Sequence, residues 1–196
     1  MSKLAGDIDI DFPDRAKALS LLTHTGASIL RDDDLIKHNT GVYFHNVPVD
    51  PITGLASINY EDANKLGWYK IDLLNVSLYE QIRDENHLID LMNRDLDFTL
   101  FEHEDFTKQL IHLNNHFKLV AKLKPKSIED LAIILALIRP GKKYLVDNCV
   151  RNGFKSIEKE IWTTTDEQFS FKKSHSISYA VLVKVHACLI IEQLSA

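Results

Sequence analysis

Polar and apolar positions alternate in the first patterned stretch of the chain, GDIDIDF, residues 6–12. Successive side chains of a strand point to opposite faces, so the pattern predicts a strand with one apolar face and one acidic face. Aspartate is disfavoured in strands, and a divalent cation bound by the carboxylates would offset their mutual repulsion. A second interpretation stays open, namely an edge strand whose acidic face is solvated. The aspartates of the acidic face are Asp7, Asp9 and Asp11.

The pattern beyond residue 12 predicts a small sheet followed by helices. Turn residues and alternating apolar positions predict further strands over 41–47, 55–60 and 67–74. Apolar residues at helical spacing predict helices over 13–26, 76–93, 104–117, 127–141 and 173–194. Ser127 is the expected N-cap of its helix, and the polar segment 31–40 is expected to be a solvated loop. We therefore expect an α+β fold, with a catalytic sheet in residues 1–76 and a helical region in residues 77–196.

Charge is distributed unevenly along the chain, although the net charge is only −5. Residues 1–116 carry 10 Lys/Arg and 20 Asp/Glu, whereas residues 117–196 carry 13 and 8. The net charge argues against strong nucleic-acid binding by the chain alone. This uneven distribution of charge is typical of an acidic metal-binding half joined to a basic half that faces phosphates. It is also compatible with solvated surfaces of unequal charge.

The sequence predicts a cytoplasmic protein without a membrane segment. No charged region followed by an apolar one opens the chain, so no secretory signal is expected. The most apolar stretch, residues 177–191, is interrupted by Lys184 and His186 and is expected to be too short and too charged to span a membrane. The two cysteines, Cys149 and Cys188, form no CxxC motif and need not be bridged.

A third carboxylate, Asp72, lies in the strand predicted over 67–74, and Lys70 shares its strand face. Two aspartates on one strand and a third on a neighbouring strand form a ligand set for two-metal phosphoryl or nucleotidyl transfer. A lysine beside such a cluster would meet a triphosphate as a point charge.

Several segments, in order along the chain, resemble the C-family of bacterial replicative DNA polymerases, the α subunits of DNA polymerase III. GDIDIDFPDR resembles the catalytic strand PDxDxDFxxxR, IKHNTGVYF resembles GKHAGGVVI, and YKIDLLNVSLYEQI resembles KFDFLGLxxLxxI. FTLFEHEDFTKQLIHLNNH is similar to VFQxES…MxxxLxxLxP. KPKSIEDLAIILALIRPG is similar to the fingers helix ending in ALxRPGP, and FKKSHSISYAVLVKVHACLI is similar to FNKSHAxAYAxxxYxxAYLK.

The resemblance implies a palm of the polymerase-β nucleotidyltransferase type with part of the fingers. It implies that Asp9, Asp11 and Asp72 hold two Mg²⁺ ions, for which Mn²⁺ can substitute. It further implies template–primer DNA and a deoxynucleoside triphosphate as ligands, and the cytoplasm of a bacterium or of an infected bacterial cell as the location. The residues expected near the incoming nucleotide are Lys70, Arg139, Lys173 and His175, together with the Lys37–His38 pair.

Other roles are open for two of these residues. Arg139, which precedes Pro-Gly, could instead cap the C-terminus of a helix. His175 could be a half-buried structural histidine near the start of the last helix.

The departures from the family pattern lead to two hypotheses. The family's Gly-Ser phosphate-binding segment lies upstream of the catalytic strand, and we expect a second polymerase or replisome chain to supply it. The first hypothesis is therefore a reduced polymerase core that needs a partner, an economy typical of a phage or mobile element. The second is a catalytically silent relative, retained as a module that binds DNA or a replisome partner.

Overall fold

Five strands near the N-terminus form one mixed sheet in the computed structural model, which describes residues 8–163 and 172–195. In chain order the strands are β1 (Ile8–Phe12), β2 (Thr25–Arg31), β3 (Asp34–Tyr43), β4 (Leu55–Asn59) and β5 (Ile71–Asn75). Their order across the sheet is β1-β5-β3-β2-β4. The β1–β5 and β2–β4 pairs are parallel, whereas β3 is antiparallel to both β2 and β5. Among the described strands, β1 therefore lies at an edge.

The chain divides into two compact units, one extending to Gln81 and the other beginning at Ile82. The sheet lies in the N-terminal unit, and the described part of the C-terminal unit is helical. The sequence predicted the change from sheet to helices after residue 76, and β5 ends at Asn75. The first residues of two quoted motif segments, Gly6–Asp7 and Phe171, lie outside the described residues.

The segment Thr25–Tyr43 is a β-hairpin, so the predictions of a helix to residue 26 and of a loop over 31–40 were wrong. β2 and β3 pair from Arg31–Asp34 at the turn to Thr25–Tyr43 at the base. Asp32 and Asp33 form the two-residue turn with φ of 50° and 68°. Aspartate tolerates this left-handed conformation, which a tight hairpin turn requires at both central positions. The acidic run therefore closes a hairpin.

Two short α-helices lie in the described part of the N-terminal unit. α1 (Arg15–Ser20) covers only part of the predicted helix, and the Asp14 carboxylate caps it by accepting from the N–H of Lys17. α2 (Tyr60–Lys65) follows β4 directly and was not predicted. Ala63 of α2 is buried in a cluster of small and aromatic side chains on one sheet face: Ala27, Tyr43 and Ala56, with Val47, Ile58 and Trp68 at its border.

The C-terminal unit contains seven α-helices within the described ranges. They are α3 (Glu85–Asn93), α4 (Glu104–Thr107), α5 (Phe117–Leu123), α6 (Ile128–Leu137), α7 (Val146–Asn152), α8 (Glu158–Ile161) and α9 (Lys173–Ser195). Short 3-10 helices also occur in the chain, at Ser77–Gln81, Phe98–Glu102, Pro140–Leu145 and Phe154–Ser156.

Two predicted helices are shorter than their apolar patterns suggested. The helix expected over 76–93 is replaced by the 3-10 helix Ser77–Gln81 and by α3, which starts after Asp84 because the Asp84 carboxylate accepts from the N–H of His87. The helix expected over 104–117 is reduced to α4 and turns, and His112 has a left-handed φ of 63°. Apolar spacing does not reveal such caps and turns.

The core of the C-terminal unit is formed largely by α6 and α9. The Ser127 hydroxyl accepts from the N–H of Asp130, which confirms the predicted N-cap. The buried Ser176 hydroxyl of α9 donates to the carbonyl of Ala132 of α6 at 2.6 Å. Among the described residues, α9 is long and apolar enough to cross a membrane, contrary to the sequence argument, but 44% of its most apolar window is buried inside the protein. A buried core helix passes the same test.

Candidate active site

The pairing of β1 with β5 places Asp9 directly opposite Asp72 on neighbouring parallel strands. Asp11, two residues further along β1, shares the face of Asp9 because side chains alternate along a strand. Asp9 is exposed, Asp11 is half-buried, and Asp72 is buried. The three predicted aspartates therefore lie on one face of one sheet edge.

Asp72 is held by two side chains of neighbouring elements. The Lys70 ammonium donates to Oδ2, and the Thr40 hydroxyl donates to Oδ1 at 2.8 Å. The Lys70 and Asp72 side chains are 9% and 11% exposed, so their ion pair is largely shielded from water. The Lys70 ammonium also lies 5.1 Å from the ring centroid of Tyr60 on α2, a favourable cation–π distance.

His38 borders the same group as a neutral ring. Its Nδ1 accepts from the N–H groups of Gly41 at 2.9 Å and Thr40 at 3.3 Å, so the proton of the neutral ring is on Nε2. Burial and then the Lys70 charge lower the pKa of His38, against the opposing effect of Asp72. The 3.6 Å separation between Nδ1 and Asp72 Oδ1 is therefore not an ion pair.

Gly41 permits the close packing of this group. A Cβ at position 41 would lie 2.8 Å from Cδ of Lys70 and 3.0 Å from Nδ1 of His38. Gly41 is also the register partner of Asp72 across the β3–β5 pair. A larger residue would push Lys70 or His38 out of place.

Asp11 has a partner from outside the sheet. The Tyr79 hydroxyl, in the 3-10 helix that follows β5, donates to Asp11 Oδ2 at 3.2 Å. Burial, and then the negative charge of Asp11, raise the pKa of Tyr79 to about 12, so the hydroxyl remains a donor at neutral pH. Sequence reasoning missed Tyr79, Thr40 and Tyr60, because hydroxyl-bearing side chains at single positions form no recognisable spacing pattern.

The donor chemistry of this face fits Mg²⁺, although the described side chains do not form a complete cage. In residues 8–163 and 172–195, no group of three or more His, Cys, Asp or Glu side chains is arranged to hold a metal ion. Mg²⁺ requires fewer protein ligands, since it is usually bound by one or two carboxylates together with substrate phosphates and water. Asp9 is exposed and Asp11 is half-buried, whereas Asp72 is buried and paired with Lys70.

Lys37 lies apart from the aspartates, on the hairpin. It is exposed and pairs in register with Ser28 of β2. It lines a surface cavity with five other hairpin residues, Ile29, Leu30, Arg31, Ile36 and Asn39. The predicted Lys37–His38 pair is therefore divided, with His38 alone beside Asp72.

The remaining predicted nucleotide-binding residues lie in the C-terminal unit. Arg139 lies between Ile138, the C-cap of α6, and the 3-10 helix Pro140–Leu145. Burial lowers the pKa of His116, and the positive charges of Lys143 and Arg139 lower it further. Lys173 begins α9 and lies 6.0 Å from the ring centroid of Trp162, and His175 is half-buried in the first turn of α9.

Comparison with known proteins found a partial similarity. No protein-family model matches it. It is similar to the DNA polymerase III subunit alpha of Ureaplasma parvum serovar 3, with 30% identity over 124 residues. The match covers 55% of this chain and 12% of the length of that subunit. The match therefore spans only a small part of that subunit.

Proposed function

We propose that the chain is a polymerase core that transfers nucleotidyl groups in DNA replication. The observation that carries the proposal is the register of β1 and β5, which sets Asp9 opposite Asp72 with Asp11 on the same face. The partial similarity to a replicative polymerase α subunit supports the same conclusion. In this proposal the sheet is a palm of the polymerase-β type, and the protein acts in the cytoplasm of a bacterial or infected cell.

The residues of the N-terminal unit have distinct roles in the proposal. Asp9, Asp11 and Asp72 would hold Mg²⁺ or Mn²⁺, which neutralises phosphate charge and activates the attacking hydroxyl when bound. Lys70 neutralises Asp72 before substrate arrives and attracts the triphosphate of the nucleotide as a point charge. His38, a neutral ring with its proton on Nε2, offers a hydrogen-bond donor beside Lys70.

The C-terminal unit would contribute further cationic side chains. We assign Arg139, Lys173 and His175 to the phosphates and sugar of the nucleotide, and template–primer DNA to the basic part of the chain. A second polymerase or replisome chain belongs to the same proposal, since a Gly-Ser segment provides backbone N–H groups for phosphates.

A primer-extension assay tests this function. The purified chain is incubated with template–primer DNA, the four deoxynucleoside triphosphates and Mg²⁺ or Mn²⁺, alone and with each polymerase chain encoded beside its gene. We expect weak incorporation or none by the chain alone, a rise of orders of magnitude with the right partner, and loss with Asp11→Asn. DNA binding without incorporation under every condition would contradict the proposal.

A second candidate function is a catalytically silent module that binds DNA or a replisome protein. It is favoured by the Lys70–Asp72 ion pair, which occupies one of the three carboxylates, and by the lack of a three-ligand metal group among the described residues. Under this alternative, Asp11→Asn leaves DNA binding unchanged.

A further inference from the structure

Two hydroxyl groups from outside β1 and β5 each hold one carboxylate of the acidic face. Thr40 of β3 donates to Asp72 Oδ1 at 2.8 Å, and Tyr79 of the 3-10 helix donates to Asp11 Oδ2 at 3.2 Å. The polymerase motifs quoted above have neither residue at the corresponding position. GKHAGGVVI has glycine at the position of Thr40, and KFDFLGLxxLxxI has leucine at the position of Tyr79.

The backbone holds the Tyr79 hydroxyl close to β1. The N–H of Val76 donates to the carbonyl of Phe12 at 2.7 Å, so the chain leaving β5 is bonded to the end of β1. The N–H of Tyr79 then donates to the carbonyl of Val76 at 3.1 Å, and the neighbouring Leu78 is buried. The Tyr79 side chain thus extends from a backbone segment that is hydrogen-bonded to β1, the strand that carries Asp11.

Each hydroxyl occupies one oxygen of its carboxylate and restricts the rotation of that side chain. With Oδ2 of Asp11 bonded to Tyr79, Oδ1 is the oxygen left for another ligand. The hydrogen bond from Thr40 to Oδ1 of Asp72 also holds Oδ2 in place, because it restricts rotation of the carboxylate. In the described structure, Oδ2 accepts from the Lys70 ammonium. Carboxylates that bind metals are commonly held by such hydrogen bonds, whose loss costs about 10–100-fold in metal affinity.

We propose that Tyr79 and Thr40 are positioning residues that orient Asp11 and Asp72 for a divalent cation. The inference rests on the proposed function, because it assigns the acidic face to a metal. In this arrangement Thr40 keeps Asp72 in place when the Lys70 ammonium turns from Oδ2 towards the triphosphate. Tyr79 holds Asp11 Oδ2 in the absence of substrate.

A Mn²⁺ titration followed by electron paramagnetic resonance tests the inference, because the signal of free Mn²⁺ reports binding without any reaction. We expect Tyr79→Phe and Thr40→Val each to weaken Mn²⁺ binding about tenfold. Thr40→Ser should restore binding, since it keeps the hydroxyl. Tyr69→Phe is the matched control, because Tyr69 is 48% exposed and precedes β5. Melting temperatures without metal show that each variant is folded.

The outcomes separate this inference from the proposed function. If Asp11→Asn abolishes Mn²⁺ binding while Tyr79→Phe and Thr40→Val bind as the wild type does, the face is a metal site but the hydroxyls do not position it. If only one of these two variants binds Mn²⁺ more weakly, the positioning role of the other residue is overturned. If the wild type binds no Mn²⁺, the proposed metal site and this inference both fail.

Discussion

Lys70 and Asp72 form an ion pair that is almost completely buried, two residues apart on the chain segment that enters and forms β5. The Thr40 hydroxyl donates to the other oxygen of the carboxylate, and the Lys70 ammonium lies over the Tyr60 ring. Burial of two charges is tolerated only when both are paired and hydrogen-bonded. In the proposed site, the same pair holds the Lys70 ammonium beside the acidic face, where it can meet a phosphate.

Removing Lys70 should therefore strongly destabilise the N-terminal unit. We expect Lys70→Met to lower the free energy of unfolding by about 3–5 kcal/mol, because Asp72 is left buried without its counter-charge. Adding Asp72→Asn should recover part of that loss. Urea unfolding measures both effects. The control is Lys65→Met, which breaks the exposed Lys65–Asp62 pair and should cost less than about 1 kcal/mol. Equal losses for Lys70→Met and Lys65→Met would contradict this account.

Gly41 should tolerate no side chain. We expect Gly41→Ala to cost about 1–3 kcal/mol, because the new methyl group would overlap buried Lys70 and the His38 ring. Gly26→Ala in β2 is the matched control, since its methyl group would meet only the tip of the Leu55 side chain. Thermal unfolding of both variants checks the prediction, and a larger loss for Gly26→Ala would refute it.

His186 should make the protein less stable in mild acid. Burial lowers the pKa of His186, and its Nδ1 accepts from the N–H of Ile111 at 3.0 Å. The unfolded chain therefore binds a proton near pH 6.5, where the folded protein does not. The contribution of neutral His186 to the free energy of unfolding is therefore complete above that pH, and it is lost as the pH falls towards the lowered pKa of the folded state.

Replacing His186 with a residue that does not titrate should reduce this loss. Asn offers an acceptor to the same N–H, so His186→Asn should show a smaller drop in unfolding free energy between about pH 7.5 and about pH 5. His38 and His116, whose pKa values are also lowered by burial, should leave a residual drop. An unchanged pH dependence in His186→Asn would show that its protonation does not limit stability.

Divalent cations should stabilise the folded protein. A metal at ten times its Kd adds about 1.4 kcal/mol by mass action, or about 3–6 °C in Tm for a chain of this size. Asp9→Asn combined with Asp11→Asn should abolish the rise. Asp32→Asn combined with Asp33→Asn is the control, because it removes two carboxylates from the hairpin turn only. A Tm unmoved by millimolar Mg²⁺ or Mn²⁺ would exclude a metal site in the isolated chain.

The elements with strong local patterns were predictable from the sequence. Alternation identified β1 and β5, the turn before Leu55 identified β4, and Ser127 marked the start of α6. β2 was missed because TGASILR follows an apolar run of helical spacing, and its strand conformation depends on pairing with β3. Tertiary pairing of this kind overrides local propensity.

The site was predictable only in part, for a similar reason. Alternation shows which carboxylates share a face, and the strand register then brings Asp9 opposite Asp72. The contacts of Thr40 and Tyr79 join residues 32 and 68 positions apart in the chain. No local pattern encodes such contacts, because they depend on how β3 and the chain after β5 pack against the strands.

Paramagnetic broadening of amide signals by Mn²⁺ tests the central claim most directly. In ¹⁵N-labelled protein, the metal should broaden most strongly the signals of β1 and β5, from Ile8–Phe12 and Ile71–Asn75. A deoxynucleoside triphosphate should strengthen the effect, because its phosphates complete the coordination of the cation. Asp9→Asn combined with Asp11→Asn should remove it. Broadening confined to other parts of the chain, or none at millimolar Mn²⁺ with nucleotide present, would contradict the assignment of this face as a metal-dependent active site.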